Sequence, residues 1–245
     1  MNPLFERSEL VFESQGIAQL QASHVLVAGV GGVGGFVIEA LARAGVGELT
    51  IVDHDVVGAS NLNRQIIALN STVGLHKVDV MRARVYEINP LCKVNVRREF
   101  YFPEDMPALL CTESAHYDYV VDAIDSVNCK FALVHTALQK GLPTVSSMGA
   151  GRRIDPSKIL LADISKTHGC ALARNVRHRL NKQGISKGLM TVFSTELPKD
   201  AGPMEEIEGA RGRVVNGTAS YMPGIFGLML AGYVIQQLAK IKDEG

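Results

Sequence analysis

A glycine-rich loop is the feature of this chain best suited to holding phosphate. Gly29, Gly31 and Gly34, with Gly32 between them, form a G-x-G-x-x-G pattern directly after a short apolar run. Because side chains are absent, backbone N–H groups and the N-terminus of a following helix can approach a phosphate closely. The loop alone predicts a nucleotide or dinucleotide site.

Polar residues downstream of the loop indicate that phosphate is also handled chemically. Asp53 has the spacing from the loop that is usual for an acid accepting hydrogen bonds from ribose hydroxyls. Asn61 and Arg64 share one face if their segment is helical. Arg64 is suited to stabilise charge that develops on a phosphoryl group, and Lys77 supplies a second cation.

Two carboxylates near the end of a later apolar run indicate a metal. Asp122 and Asp125 lie in Val-Val-Asp-Ala-Ile-Asp-Ser, where a strand is expected to end. A magnesium ion that bridges phosphates is held by one or two carboxylates, and Asp125 is the candidate ligand. Asp125 or Ser126 also precedes a predicted helix, so either side chain is a candidate for its N-cap.

Alternating strands and helices position these residues. β-branched runs at 24–28 and 48–52 predict strands, and apolar residues at helical spacing predict a helix over 36–44. The pattern repeats, with strands at 94–98, 119–124 and 143–147 and helices at 75–89, from 103 onward and at 127–140. The sequence therefore predicts an α/β fold with a doubly wound, mostly parallel Rossmann-like sheet, whose ligands lie at the carboxyl ends of the strands.

The pattern becomes mixed after about residue 150. Strands are predicted at 159–164 and 189–193, with a basic helix at 171–181. The segment 196–217 is rich in Gly, Pro and charge without apolar periodicity, which predicts a mobile lid or crossover loop. We interpret residues 1–245 as one domain, with a nucleotide-binding half up to about residue 150 and a C-terminal extension of mixed strands and helices.

Composition argues against several classes of protein. The chain has 25 basic and 25 acidic residues, so no global field draws it to nucleic acid or to a membrane. The longest apolar stretch, 221–235, is shorter than the ~20 residues of a membrane span, and the N-terminal region lacks the apolar core of a signal peptide. The cysteines form no CxxC pair for zinc or redox chemistry. A cytoplasmic protein without membrane contact is expected.

Together these motifs resemble the ubiquitin-activating-enzyme superfamily, which includes the ThiF, MoeB and HesA proteins. The resemblance spans nearly the whole chain and is carried by residues 29–34, 39–43, 45–47, 53, 61–65, 73–74, 77 and 121–126. It implies a reaction in which ATP adenylates a carboxylate and pyrophosphate leaves. It also implies a homodimer whose C-terminal half, about 151–245, binds the substrate and the partner subunit.

The resemblance further implies roles for individual residues. Besides Gly29, Gly31, Gly32 and Gly34, the implied nucleotide contacts are Asp53, Asp55, Asn61, Asn63, Arg64, Gln65, Lys77, Asp125 and Ser126. Arg64, Lys77 and Asp125 are implied to be catalytic, with Asp125 as the magnesium ligand. Arg7 matches an arginine that, in relatives, reaches the partner's site across the dimer. ATP and Mg²⁺ are the implied cofactors, and a monovalent cation is a further candidate.

Within the superfamily, the chain resembles most the tRNA-modifying dehydratases. That likeness rests on residues 63–66, 87–90, 122–126, 147–151, 163–167 and 192–194. It implies closure of the threonylcarbamoyl side chain on an adenosine beside the anticodon of tRNA. The carboxylate would be adenylated and then attacked by a nitrogen of the same side chain, releasing AMP. A local cationic surface for tRNA is available from Lys166, Arg174, Arg177, Arg179, Lys182 and Lys187.

Three other functions stay open. One is an adenylating activator of a ubiquitin-like sulfur-carrier protein, which would bring a sulfur-transfer protein as a partner. The missing CxxC pairs count against it, and Cys170 is the thiol that a thioester or persulfide relay would use. The second is a non-catalytic nucleotide-binding module. The third is a dinucleotide dehydrogenase, for which the segment 61–77 offers no explanation.

Overall fold

Strands and helices alternate along the chain in a computed structural model that describes residues 3–111, 116–200, 202, 204–207, 210–214 and 216–240. The strands are β1 (His24–Ala28), β2 (Glu48–Val52), β3 (Lys93–Arg97), β4 (Tyr119–Asp122), β5 (Thr144–Ser147), β6 (Ile159–Asp163), β7 (Met190–Ser194), β8 (Met204–Ile207) and β9 (Ala210–Val214). The helices are α1 (Glu9–Ala22), α2 (Gly34–Ala44), α3 (Lys77–Ile88), α4 (Met106–Leu109), α5 (Val127–Gln139), α6 (Ala171–Lys182) and α7 (Met222–Leu238). The two ends of the predicted domain, 1–2 and 241–245, lie outside the described residues.

Seven strands form one sheet in the order β3-β2-β1-β4-β5-β7-β6. All neighbouring strands are parallel except β6, which runs antiparallel to β7 at one edge. The predicted fold class, a doubly wound and mostly parallel sheet, is confirmed. The strand order reverses between β1 and β4, and ligands of such sheets bind at this point, beyond the carboxyl ends of the strands.

Helices cover both faces of the sheet because its central strands are apolar on both sides. Val25 and Val27 of β1 pack into a core shared with α2, α3 and α7. Leu26 and Ala28, which point the other way, pack into a second core with α4 and α5. Successive side chains of a strand face opposite sides, so a fully buried run such as β1 requires a helical layer on each face.

The long apolar stretch near the C-terminus is the buried helix α7. Phe226, Leu230 and Val234 are fully buried in the core beside α2. A Cβ on Gly227 would lie 2.5 Å from the carbonyl oxygen of Val33, so this glycine permits the close approach of α7 to α2. In the part of the chain that the structure describes, no helix combines the length and apolar character of a membrane span.

The segment predicted as a mobile loop, 196–217, instead contains a hairpin. β8 and β9 pair antiparallel in a two-stranded sheet apart from the main one. Each of these short strands contains two charged residues and few apolar ones, which is why the sequence gave no signal for a strand. A second difference is that β4 ends at Asp122, so that 123–126 form a loop at the switch point.

Candidate functional site

A cavity of about 290 Å³ opens beyond the carboxyl ends of β1, β2 and β4. The predicted site residues on its wall are Gly29, Gly31, Gly32, Asp53, Asp55, Arg64, Gln65, Lys77, Asp125 and Ser126. Four predicted residues are not part of this wall, namely Arg7, Gly34, Asn61 and Asn63. The structure therefore brings ten of the predicted residues together around a single space.

The glycines of the loop serve two different purposes. Gly29 has a φ of +97°, and a Cβ there would lie 2.6 Å from the carbonyl oxygen of Ala123. A Cβ on Gly34 would lie 1.8 Å from the carbonyl oxygen of Gly29, so Gly34 lets α2 begin directly against the loop. At Gly31 the nearest atom to such a Cβ is the Gln65 amide nitrogen, 3.8 Å away. Gly31 thus faces open space, as the approach of a phosphate requires.

Asp53 holds the glycine loop in place. Its Oδ2 accepts the backbone N–H of Val30 at 2.7 Å, and its Oδ1 accepts that of Asp55 at 2.9 Å. A carboxylate has about four acceptor positions, so each oxygen can accept a further hydrogen bond. The geometry is therefore compatible with the predicted contact to ribose hydroxyls, and it adds a structural role that the spacing did not indicate.

The two predicted cations lie on the same wall of the cavity. Lys77 is 5% exposed, and its Nζ lies 2.7 Å from Asp55 Oδ2. Arg64 donates through Nη1 to the Ser60 carbonyl at 2.8 Å and to Asn63 Oδ1 at 2.9 Å. A guanidinium has five N–H donors, so most of those on Arg64 remain free for phosphate oxygens.

The two predicted asparagines shape the segment that carries Arg64. Asn61 Oδ1 accepts the backbone N–H of Gly58 at 2.9 Å and so closes the turn before it. Asn63 donates to the Thr218 carbonyl at 3.1 Å, which joins this segment to the chain leading into α7. Thr218 itself lies on the cavity wall. In the structure these two side chains fix the segment that carries Arg64 in place beside the cavity.

Asp125 is an exposed carboxylate at the cavity, just before α5. Among the described residues, no hydrogen-bond donor or cation is paired with it. Ser126 is the N-cap residue of α5 and makes no capping bond through its side chain. Because Asp125 is not used for capping or pairing, its oxygens are free to bind a metal, as a magnesium ligand must be.

Asp122, the other carboxylate considered as a metal ligand, has a structural role instead. It is completely buried, and its Oδ2 accepts hydrogen bonds from Lys130 Nζ at 2.6 Å and Ser146 Oγ at 2.5 Å. Lys130, equally buried, also donates to the Ser147 carbonyl at 2.9 Å. This ion pair ties the ends of β4 and β5 to α5, and it leaves Asp122 no access to a ligand.

A trio of adjacent groups, Asp53, His54 and Asp55, has donor atoms within 4.8 Å of one another. Both oxygens of Asp53 already accept backbone hydrogen bonds, and Asp55 is paired with Lys77. His54 Nε2 lies 3.2 Å from Asp55 Oδ1. The free carboxylate of Asp125 therefore fits a metal better than this trio does.

The sequence reasoning missed the apolar end of the cavity. Phe100, Tyr101, Met106 and Leu109 line it. Burial raises the pKa of the Tyr101 hydroxyl, and the nearby Glu99 carboxylate raises it further, so the hydroxyl stays protonated at neutral pH. An apolar pocket with a few polar groups suits a nucleobase. Their position in the sequence could have indicated a place at the cavity, because they follow the carboxyl end of β3 and ligands of such sheets bind beyond the carboxyl ends of the strands.

One buried polar atom on the cavity wall lacks a partner. Gln65 is 8% exposed, and its Oε1 accepts no hydrogen bond within the described structure. Buried polar atoms are usually satisfied, so a ligand or water in the cavity is the expected donor. Together with the open space at Gly31, this atom makes the cavity wall compatible with a bound nucleotide.

Two other predicted residues lie away from the cavity. Arg7 is exposed in the segment before α1. Cys170 is 6% exposed and lies on the wall of a second cavity, not of the one described above. Within one subunit, neither residue lines the first cavity.

Comparisons with known proteins agree with this geometry. The model of the ThiF family matches residues 5–245. The tRNA threonylcarbamoyladenosine dehydratase of Bacillus subtilis (strain 168) is 41% identical over 244 residues, which cover 96% of this chain and 94% of the relative. The E. coli tRNA N6-threonylcarbamoyladenosine dehydratase, TcdA, in complex with ATP has a TM-score of 0.84 at 35% identity, with coverage of 98% and 96%. Its AMP complex also gives 0.84, at 34% identity and coverage of 96% and 93%.

Proposed function

The chain belongs to the ThiF family, and from this premise we propose that it is an ATP-dependent tRNA threonylcarbamoyladenosine dehydratase. The carboxylate of the threonylcarbamoyl side chain attacks the α-phosphorus of ATP, and pyrophosphate leaves. A nitrogen of the same side chain then attacks the activated carbonyl carbon, closes the ring and expels AMP. The net change in the nucleoside is the loss of one water. Because ATP and tRNA are the reactants, we place the reaction in the cytoplasm.

The observation that carries the proposal is the cavity wall, where the glycine loop, Arg64, Lys77 and Asp125 surround one space. The glycine loop and the start of α2 present N–H groups to phosphate. Arg64 and Lys77 stabilise negative charge on the phosphate oxygens as pyrophosphate separates. The apolar end beside Phe100 suits the adenine base.

The substrate supplies its own nucleophile for ring closure, so no protein thiol is needed. This agrees with the place of Cys170, which is buried outside the nucleotide cavity. A thioester relay through that thiol would require it to meet the activated carboxylate. We include neither a monovalent cation nor a sulfur-transfer protein, because ring closure requires neither.

The function is tested directly with purified protein, ATP, Mg²⁺ and tRNA that carries threonylcarbamoyladenosine. Nucleosides are released from the tRNA under mild conditions that preserve a labile ring, and their masses are measured by mass spectrometry. We expect a nucleoside lighter by one water, with AMP formed in equal amount. An unchanged nucleoside would contradict the proposal, and AMP formation on adding a ubiquitin-like carrier protein would then favour the activator alternative.

We propose that Asp125 holds Mg²⁺, which when bound neutralises phosphate charge and orients the phosphates. Replacing Asp125 by Asn keeps the size of the side chain and removes its charge. We expect kcat to fall about 100-fold and the Mg²⁺ concentration for half-maximal rate to rise about tenfold. AMP formation measured across a Mg²⁺ series checks both. Glu87→Gln, the same chemical change on the exposed face of α3, is the control. An unchanged Mg²⁺ dependence in Asp125→Asn would remove Asp125 as the ligand.

We further propose a homodimer in which Arg7 completes the partner subunit's site. Arg7 is exposed, and the neighbouring Leu10 and Val11 are 86% and 70% exposed, so they form apolar surface that a second subunit would cover. Replacing Arg7 by Ala should reduce the rate at least tenfold without changing the stability of the subunit.

Mixed dimers distinguish this arrangement from a role of Arg7 in its own subunit. When differently tagged Arg7→Ala and Arg64→Ala chains are coexpressed, each heterodimer contains one site with both arginines intact. At equal expression we expect about a quarter of the wild-type activity in the mixture, although either variant alone is nearly inactive. Mixtures no more active than the single variants would contradict the shared site.

A further inference from the structure

Positive charge is concentrated in one segment of a chain that is neutral overall. Residues 164–195 contain six Lys and Arg and no Asp or Glu, whereas the whole chain has 25 of each sign. The segment includes α6 and the turns on either side of it. A local excess of this kind creates a field that attracts a polyanion even when the total charge is zero.

The structure divides the six cations into two groups. Arg177 donates through Nη1 to the Thr167 carbonyl at 2.7 Å. Arg179 donates to Asn128 Oδ1 at 2.9 Å, and its guanidinium lies 4.2 Å from the centre of the Phe131 ring. These two arginines fix α6 to its neighbours. The other four, Lys166, Arg174, Lys182 and Lys187, are exposed, and in the described ranges their side chains form no hydrogen bond or salt bridge.

Two of the free cations, Arg174 and Lys182, lie on the solvent face of α6. Arg174, His178 and Lys182 follow one another at intervals of four residues, so they form one stripe along the helix. All three are exposed, whereas the residues that pack α6 onto the sheet point the other way. No partner within the described structure neutralises the stripe.

A second cavity of about 370 Å³ lies at one end of this stripe. Its wall includes His168, Arg174, Arg177 and the neighbouring pair Leu197 and Pro198. Guanidinium groups bind phosphate through charge-assisted hydrogen bonds, and an imidazole can add a further donor. The cavity therefore combines room for an anion with donors that suit phosphate.

Helix α6 is joined to the wall of the first cavity through a short chain of contacts. Arg179 of α6 bonds to Asn128 in the first turn of α5. That turn follows Ser126 and Asp125, which lie on the wall of the nucleotide cavity. Helix α6 therefore contacts the element that carries Asp125 and Ser126, so a strand bound along α6 would lie beside the first cavity.

We propose that α6 is the binding surface for the RNA backbone. Arg174 contacts a phosphate seated in the second cavity, and Lys182 contacts a phosphate further along the strand. This inference rests on the proposed function, since it assigns a place to the tRNA substrate of that reaction. Phosphate contacts fix the position and register of a nucleic acid without reading its sequence.

Charge reversal tests the surface. We expect Arg174→Glu and Lys182→Glu each to raise the KM for threonylcarbamoyladenosine-containing tRNA about tenfold, and to make the dependence of tRNA binding on log salt shallower by about one. The KM for ATP should stay unchanged, because neither residue lies on the nucleotide cavity. Lys140→Glu is the matched control, since Lys140 is exposed at the opposite end of α5.

The outcomes separate failure of this inference from failure of the proposed function. If the unmodified protein does not dehydrate the nucleoside, the proposed function is wrong, whatever the variants do. If it does, and Arg174→Glu and Lys182→Glu behave like Lys140→Glu in KM for tRNA and in salt dependence, then α6 is not the RNA surface. A parallel rise in the KM for ATP would also overturn the inference, because it would place these residues at the nucleotide.

Discussion

Replacing Arg64 by Ala is expected to lower kcat by about 100-fold to 1,000-fold while the affinity for ATP changes little. Arg64 lies on the cavity wall with most of its N–H donors free, and its Nη1 is fixed by the Ser60 carbonyl and Asn63. A donor held in place before the reaction stabilises the charge that develops on the phosphate oxygens more than the charge already present. The loss should therefore appear in the rate.

Single-turnover AMP formation and equilibrium binding of ATP check this result separately. Arg64→Lys keeps the charge and loses the planar fork, so it should recover only a small part of the rate. Arg82→Ala, on the surface of α3, controls for the loss of an arginine elsewhere. A rate unchanged from wild type would remove Arg64 from the transition state, and an equal loss in ATP affinity would assign it to ground-state binding.

Replacing Lys130 by Met is expected to lower the free energy of unfolding by about 3–5 kcal/mol, because it leaves the Asp122 carboxylate buried without its cation. Both side chains of the pair are fully buried, and Lys130 also satisfies the Ser147 carbonyl. Methionine has a similar length, so little packing is lost. Urea unfolding at neutral pH measures the change.

The double variant Asp122→Asn with Lys130→Met shows whether charge or volume is responsible. With neither charge present, the cost should be smaller than that of Lys130→Met alone. A double variant less stable than Lys130→Met would contradict the pairing argument and assign the cost to packing. Ala132→Ser, a small change on the same helix, sets the baseline for ordinary substitutions in α5.

The central sheet could be predicted because its strands have a strong and local signal. β1 and β2 lie at the predicted positions, since a short β-branched run bounded by glycine has few other ways to be buried. The hairpin β8–β9 had no such signal, because each of its short strands contains two charged residues and few apolar ones. Apolar periodicity detects a strand only where several apolar residues repeat along it.

Residue types pointed to ten residues that line one cavity, but they did not distinguish side chains free to contact a ligand from side chains that support the wall. Asp122 and Asp125 are both aspartates near the end of one apolar run, and the sequence does not distinguish them. In the fold, Lys130 pairs with Asp122, whereas Asp125 lies on the cavity wall. Gly34 and Gly31 belong to one motif, yet one serves packing and the other faces open space. Phe100 and Tyr101 were missed because an aromatic pair after a strand is as typical of a core as of a nucleobase pocket.

The acidic and basic groups on the cavity wall do not balance. Among the described residues, four carboxylates, Asp53, Asp55, Glu99 and Asp125, line the cavity together with two permanent cations, Arg64 and Lys77. A bare triphosphate would enter against this excess of like charge, whereas a nucleotide that carries its own divalent cation would not. The wall thus favours binding of the nucleotide complexed with a divalent cation over binding of the bare nucleotide, before any reaction starts. A chelator of divalent cations should therefore weaken nucleotide binding as well as turnover.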